Sequence, residues 1–155
     1  MSISNILKNN RILTDLNSSS KEGIINEMID ILKDDEKIID LEKVREVVLE
    51  REKIMSTGIG NGFAIPHGKT NAVKGIVAVF GKLKNPIDFE SIDGNPVNLI
   101  FLMVGREDAV SDHIKMLSRI SRIMNKDEVH NKLLNAETTD EIFNIFQEEE
   151  SNLKN

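Results

Sequence analysis

Two compact apolar runs in the middle of the 155-residue chain constrain its fold more than any other feature. The first spans residues 76–80 and the second spans residues 97–104, and a glycine follows each of them. Their β-branched content and their short length favour buried strands over helices. The sequence Asp-Gly-Asn-Pro at 93–96, which lies between the two runs, is typical of a turn.

Helical patterns flank these strands on both sides. Before them, Ser19 with Glu22 fits a capping box that opens a helix. After them, apolar residues recur at helical spacing over 112–124, and a second capping box at Thr138 opens a last helix. The acidic tail at 148–152 is polar, and we expect it to fray. Helices before and after central strands predict one layered α/β domain over residues 1–155.

Composition excludes several classes of function. The chain has no cysteine, which excludes disulfides, thiol nucleophiles and Cys-ligated metals. Its net charge of −6 argues against nucleic acid as a partner and mildly favours a basic protein partner. No apolar run is long enough to span a membrane, and the first residues lack the apolar stretch of a signal peptide. We therefore expect a cytoplasmic protein that does not insert into a membrane.

The segment from residue 51 to residue 69 carries the strongest functional signal. Glycines alternate at positions 58, 60 and 62, and His67 follows between a proline and a glycine. A Gly-rich segment lets backbone N–H groups approach an oxyanion, and imidazole is a nucleophile or proton carrier near neutral pH. Together they predict a histidine that carries or attacks a phosphoryl group. Taken alone, alternating glycines more often form tight turns than a ligand cradle, and these lack the endings of nucleotide-binding loops.

Other polar residues are secondary candidates. His113 lies on a predicted helix, either as a core-edge histidine bonded to the backbone or as a donor to a phosphoryl oxygen. Arg51 is either an ordinary cation at a helix end or a bidentate phosphoryl ligand, and Ser56 and Thr57 offer further polar contacts. His130 stands among polar residues, which predicts a solvated position.

Two other chemistries have little support in the sequence. A metal site built on the histidines lacks a third ligand, because no His-x-x-x-His or Glu-x-x-His pair is present at helical spacing. A serine hydrolase needs a Gly-x-Ser-x-Gly elbow, which the sequence also lacks. We expect neither a metal nor an acyl-transfer triad.

At these residues the chain resembles the enzyme IIA domain of the fructose–mannitol class of the bacterial phosphoenolpyruvate:sugar phosphotransferase system. The motif of that family is an acidic or amide residue, six variable positions, an apolar residue, Gly or Ala, two variable positions and then apolar-Ala-apolar-Pro-His-small. Glu52 takes the first place, residues 59–60 the next, and residues 63–68 the last six. The resemblance continues through 86–89 and 112–117 and covers essentially the whole chain.

The resemblance implies a fold, a reaction and a site. The implied fold is a three-layer α/β domain with a mixed, roughly five-stranded sheet flanked by helices. His67 is implied to be the phospho-acceptor, which takes a phosphoryl group from phosphohistidine on the carrier HPr and passes it to a cysteine of a IIB domain on a separate chain. His113 and Arg51 are implied to hold that group, with no metal or nucleotide cofactor. The expected phosphoryl-binding loop consists of Ser56, Thr57, Gly58, Gly60 and Gly62.

Two functions are compatible with this resemblance. The first is a relay that feeds a permease for a fructose- or mannitol-type sugar. The second is a regulatory protein, like the nitrogen-related IIA paralogues, whose phosphorylation state controls partner proteins. The run of glycines belongs to both branches and does not separate them, and we favour the transport relay.

Overall fold

The computed structural model describes residues 2–153, and of Ile59 it describes the backbone alone. A mixed six-stranded sheet lies at the centre, in the order β1-β5-β6-β3-β2, and β4 also pairs with β6. The strands are β1 (Ile12–Leu13), β2 (Gly58–Gly60), β3 (Phe63–Ala64), β4 (His67–Lys69), β5 (Val77–Ile87) and β6 (Val97–Gly105). The helices are α1 (Ile3–Ile6), α2 (Lys21–Asp30), α3 (Leu41–Ile54), α4 (Val110–Met124), α5 (Asp127–Asn135) and α6 (Thr139–Leu153), with 3₁₀ turns at Asn9–Arg11 and Ile31–Asp34.

The two apolar runs form the antiparallel pair β5–β6 at the centre of the sheet. Strands β3 and β4 lie parallel to β6, and β1 lies parallel to β5. Strand β6 is buried along almost its whole length, because helices cover both faces of the sheet. The sequence analysis predicted these strands correctly, and β5 extends beyond the predicted run to Ile87.

Successive side chains of the central strands enter two separate cores. Phe101 and Met103 face the core formed with α1, α4, α5 and α6. Leu102 and Val104 face the opposite core, which α2 and α3 complete. This alternation is the period-two geometry of a strand, and it makes the molecule a three-layer α/β fold with a mixed sheet between helices, as the resemblance implied.

One of the two predicted helix caps is shifted by a residue. The hydroxyl of Ser20, and not that of Ser19, accepts a hydrogen bond from the Gly23 N–H at 3.1 Å, and α2 therefore begins one residue later than the predicted box. The second cap is confirmed, because the Thr138 hydroxyl accepts from the Glu141 N–H at 3.1 Å. Both caps satisfy a backbone donor of the first helical turn.

The prediction of a frayed acidic tail is wrong. Helix α6 continues to Leu153, and Glu149 and Glu150 are each only 3% exposed. Glu150 accepts from the Ile3 N–H at 2.8 Å and from Arg119 Nη1 at 2.8 Å, while Glu149 lies 3.3 Å from the amine of Lys126. These partners lie far away in sequence, and they compensate the cost of burying two carboxylates in a way that local composition does not reveal.

Candidate active site

The backbone on both sides of His67 is fixed by the sheet. His67 begins β4 opposite Met103 on β6, and the Met103 N–H donates to the Pro66 carbonyl at 3.0 Å. The Nδ1 of the half-buried His67 ring lies 2.8 Å from the carbonyl oxygen of Ile65. A carbonyl oxygen only accepts, so this contact puts the proton on Nδ1 and leaves the lone pair on Nε2.

The surroundings of His67 favour its neutral form. Burial lowers the pKa of His67, and the cations Arg51 and Lys69 lower it further, against the opposite effects of the Ile65 carbonyl and of Glu52. The ring is therefore uncharged at neutral pH, with a nucleophilic nitrogen.

His113 lies beside this ring and is almost completely buried. The two ring centroids are 5.7 Å apart, and the planes are tilted by 52°. His113 is 3% exposed, and within residues 2–153 neither of its ring nitrogens has a hydrogen-bond partner. Gly105 makes room for it, since a Cβ there would lie 3.1 Å from Nδ1 of His113. The structure thus gives no backbone bond to the ring, which was one of the two interpretations of this residue.

Desolvation lowers the pKa of His113 to about 4, and the neighbouring His67 and Lys69 act in the same direction. At neutral pH the ring is therefore neutral and carries one N–H donor. A buried donor without an acceptor costs free energy, which is recovered when an acceptor arrives. An anionic group on Nε2 of His67 is an acceptor of the required kind.

A groove with a cavity volume of about 390 Å³ lies in front of His67. We call it the His67 groove. It is lined by Arg51, Met55, Ser56, Thr57, Ile65, His67, Ile92, Ile114, Leu117, Ser118 and Ser121. Four of the predicted site residues therefore share one surface, and His113 lies behind it.

Arg51 stands near the end of α3, where its side chain reaches the loop before β2. Its Nη1 donates to the Met55 carbonyl at 2.9 Å, a bond that ties the guanidinium to the rim of the groove. Ser56 is held differently, since its hydroxyl donates to the Phe89 carbonyl at 2.7 Å and accepts from the Gly58 N–H at 3.1 Å.

The structure does not bring the alternating glycines to His67. Gly60 and Gly62 have positive φ angles, as does Asn61 between them, and together they form the turn between β2 and β3. Gly62 accepts from the Leu99 N–H, whereas His67 lies opposite Met103, four residues further along β6 and about 13 Å away. Their conformational freedom serves the turn, which was the alternative interpretation of these glycines.

Gly58 lies closer to the groove but does not line it. A Cβ at Gly58 would lie 2.5 Å from the Ser91 hydroxyl oxygen, so the absence of a side chain permits close packing against the loop after β5. Gly58 therefore positions Ser56 through the hydrogen bond described above and has no surface on the groove.

The apolar rim of the groove was not predicted from the sequence. Met55, Ile92 and Ile114 line it and are 60%, 67% and 59% exposed. Ile114 belongs to the apolar pattern over 112–124, but its side chain is exposed, next in sequence to the buried His113. The sequence carries only a weak signal for this rim. Ile92 is an apolar residue in an otherwise polar turn, and it belongs to neither hydrophobic core. Exposed apolar side chains grouped around a reactive residue mark a surface for a partner.

His130 is half-buried on α5, which contradicts its predicted solvated position. A Cβ at Gly62 would lie 3.0 Å from Cε1 of His130, so the ring packs against the β2–β3 turn. Within the described part of the chain its Nδ1 has no partner, and burial lowers its pKa. The residue belongs to the turn and not to the groove.

No group of three or more His, Asp or Glu side chains among residues 2–153 is arranged to hold a metal ion. None of the helices in this range is long and apolar enough to cross a membrane.

The chain belongs to the family described as phosphoenolpyruvate-dependent sugar phosphotransferase system, EIIA 2, whose sequence profile matches residues 5–149. It is 38% identical over 148 residues to the fructose-specific EIIABC component of Bacillus subtilis, which covers 96% of this chain. The chain spans 23% of the length of that relative.

Two solved structures share the fold. The nitrogen regulatory protein IIA-Ntr of Neisseria meningitidis is 31% identical, with a TM-score of 0.88 over 93% of this chain and 98% of that protein. The enzyme IIA for mannitol of Escherichia coli, in its complex with phosphorylated enzyme IIB, superposes with a TM-score of 0.79 over 92% of this chain and 99% of that protein. At 18% identity the second likeness concerns the fold alone.

Proposed function

We propose that the protein is a phosphoryl carrier of the sugar phosphotransferase system, in which Nε2 of His67 accepts the phosphoryl group. The observation that carries this proposal is the 2.8 Å hydrogen bond from Nδ1 to the Ile65 carbonyl. It leaves Nε2 as the nucleophilic nitrogen of a ring that lines an open groove.

The proposed donor is the phosphohistidine of HPr. The Nε2 lone pair attacks phosphorus, the bond between phosphorus and the donor imidazole breaks, and its electron pair stays on the donor nitrogen. In the second step a cysteine thiolate of a IIB domain attacks the same phosphorus, and the electron pair of the N–P bond returns to Nε2. Neither step uses the proton on Nδ1 of His67. This N–H remains hydrogen-bonded to the Ile65 carbonyl in both steps.

Charge stabilisation comes from the side chains around Nε2. Phosphoryl transfer has a loose transition state with charge spread over three oxygens, so alignment and positive or donor groups matter most. His113 offers its unpartnered N–H from behind His67, and Arg51 can direct guanidinium donors from the rim of the groove. The hydroxyls of Ser56 and Thr57 are already engaged, with Phe89 and Glu52. We assign these two residues to shaping the groove.

The apolar rim is the proposed docking surface for the partner proteins. The donor and the acceptor must each approach His67 to within bonding distance, so both use the same surface in turn. An exposed rim of Met55, Ile92 and Ile114 supplies contact area without a fixed polar pattern, which suits two different partners. Mannitol IIA has the same fold as this chain, and its structure in complex with phosphorylated IIB supports a IIB domain as one of the two partners.

Phosphotransfer in vitro tests the proposal. The protein is mixed with phosphoenolpyruvate, enzyme I and HPr, and its intact mass is measured before and after acid treatment. We expect one acid-labile phosphoryl group on the wild type and on the control His130→Ala, and none on His67→Ala. Label that persists in His67→Ala contradicts the assignment of the nucleophile.

A second candidate function is regulation of partner proteins through the phosphorylation state of His67. It is favoured by the 31% identity and the TM-score of 0.88 to the nitrogen regulatory protein of Neisseria meningitidis. Addition of IIB domains to the phosphorylated protein distinguishes the regulatory function from the transport relay. Drainage of the phosphoryl group to a IIB cysteine supports the transport relay, which we place first, and retention with every fructose- and mannitol-type IIB supports regulation.

A further inference from the structure

An ion pair and a series of hydrogen bonds connect the first residue of α2 to the ring of His67. The amine of Lys21 lies 2.9 Å from Oε2 of Glu52. Glu52 accepts from the Thr57 N–H at 2.8 Å and from the Thr57 hydroxyl through its other oxygen. The Thr57 carbonyl accepts from the Ile65 N–H at 3.2 Å, and the Ile65 carbonyl holds Nδ1 of His67 at 2.8 Å.

The two charged members of this series are buried together. The side chain of Glu52 is 4% exposed and that of Lys21 is 18% exposed. The Lys21 amine also lies 5.2 Å from the centre of the Phe89 ring and 4.0 Å from the exposed carboxylate of Glu90. Removal of the amine leaves Glu52 as a buried carboxylate with Thr57 as its remaining partner, an arrangement that favours rearrangement of the loop.

We propose that Lys21 is a positioning residue for phosphoryl transfer, which acts through Glu52 and Thr57 on the Ile65 carbonyl and so directs phosphorylation to Nε2 of His67. This inference rests on the proposed function, because it concerns the same nucleophile. Lys21 itself touches no reacting atom, and it lies on the far side of Glu52 from the groove.

The series also sets the charge around the nucleophile. The charged and titratable groups that act on the His67 ring come from α3, β4 and α4. They are Arg51, Glu52, Lys69 and His113. Among them Glu52 alone is an anion, and it raises the pKa of His67. Lys21 is paired with that carboxylate, which moderates the effect of Glu52 and favours the neutral, nucleophilic form of His67.

The test compares Lys21→Met with Lys21→Arg and with the control Lys53→Met, an exposed lysine that lines the same cavity as Lys21 outside the His67 groove. Each protein is phosphorylated by the HPr relay and, separately, by phosphoramidate, which needs no protein donor. NMR of ¹⁵N-labelled histidine shows whether phosphorus sits on Nδ1 or Nε2 of His67. Unfolding in urea checks that each variant is folded.

For Lys21→Met we expect a fraction of Nδ1-phosphorylated product and transfer from HPr slowed about tenfold or more. Lys21→Arg restores both, and Lys53→Met matches the wild type. Phosphorus on Nε2 alone overturns the inference. If Lys21→Met does not fold, Lys21→Gln removes the positive charge and keeps a polar side chain, and Nδ1 product in that variant supports the inference while its absence overturns it.

The two donors separate this inference from the proposed function. If HPr does not phosphorylate the wild type while phosphoramidate reproduces the pattern of the variants, the proposed carrier role fails and the positioning role stands. If HPr phosphorylates the wild type and Lys21→Met alike, on Nε2 and at equal rate, the positioning role fails and the carrier role stands.

Discussion

Replacement of His113 by leucine is expected to remove a large part of the acid sensitivity of the fold. The pKa of His113 falls from 6.5 to about 4 on burial, so charging the folded ring costs about 3.4 kcal/mol more than charging it in the unfolded chain. Leucine is similar in size and leaves no polar group unpaired at a site where neither ring nitrogen has a partner among the described residues.

The sign follows from proton binding. Between about pH 6.5 and pH 4 the unfolded chain holds a proton on His113 that the folded protein does not, so the free energy of unfolding falls as the pH falls through this window. The two pKa values give a loss of about 1.8 kcal/mol between pH 7 and pH 5 from this residue. Below about pH 4 the loss is complete.

Urea unfolding of the wild type and of His113→Leu at pH 7 and pH 5 measures this term. Burial also lowers the pKa of His67 and His130, and their contributions occur in both proteins and cancel in the comparison. We expect the wild type to lose about 1.8 kcal/mol more than the variant between the two pH values. Equal losses in both proteins would refute the reasoning that His113 is held neutral by burial.

Three further predictions concern the groove and the C-terminal helix. Arg51→Lys is expected to slow phosphotransfer from HPr about tenfold, since a lysine cannot make the paired hydrogen bonds of a guanidinium. An unchanged rate of transfer, measured by quenching the reaction at set times, would contradict the role of Arg51 as a phosphoryl ligand. Ile92→Ser is expected to raise the KM for HPr and leave the reaction with phosphoramidate unchanged, whereas Ile39→Ser, at an exposed isoleucine outside the groove, alters neither. Glu150→Leu is expected to lower the free energy of unfolding by about 3 kcal/mol, because it removes the buried carboxylate that accepts from the Ile3 N–H and from Arg119, and Glu148→Leu on the exposed face should change it by less than about 0.5 kcal/mol. Urea unfolding distinguishes these two glutamates, and similar losses would contradict the ion-pair account.

The central strands and the fixed backbone around His67 could be predicted because their signals are local. A short apolar run closed by a glycine favours a buried strand without knowledge of its neighbours, and β6 is such a run. His67 stands out because a proline and a glycine fix the backbone on either side of it. The cap at Thr138 is local in the same way, since its partner is three residues away.

What the sequence did not reveal depends on contacts between distant segments. Glu150 reads as part of a polar tail until α6 brings it to Ile3 and Arg119. Lys21 and Glu52 are thirty-one positions apart, and nothing in either neighbourhood marks them as a pair. Glycines 60 and 62 illustrate the opposite error, because a local pattern shared by turns and anion loops was assigned to a site that the strand register places elsewhere.

The most direct measurement of the central claim is the position of phosphorus in the protein after incubation with phosphoenolpyruvate, enzyme I and HPr. NMR of ³¹P and of ¹⁵N-labelled histidine identifies both the residue and the ring nitrogen. We expect a single phosphohistidine, on Nε2 of His67, with the proton still on Nδ1 against the Ile65 carbonyl. Phosphorus on Nδ1 of His67, on another residue, or on none would contradict it.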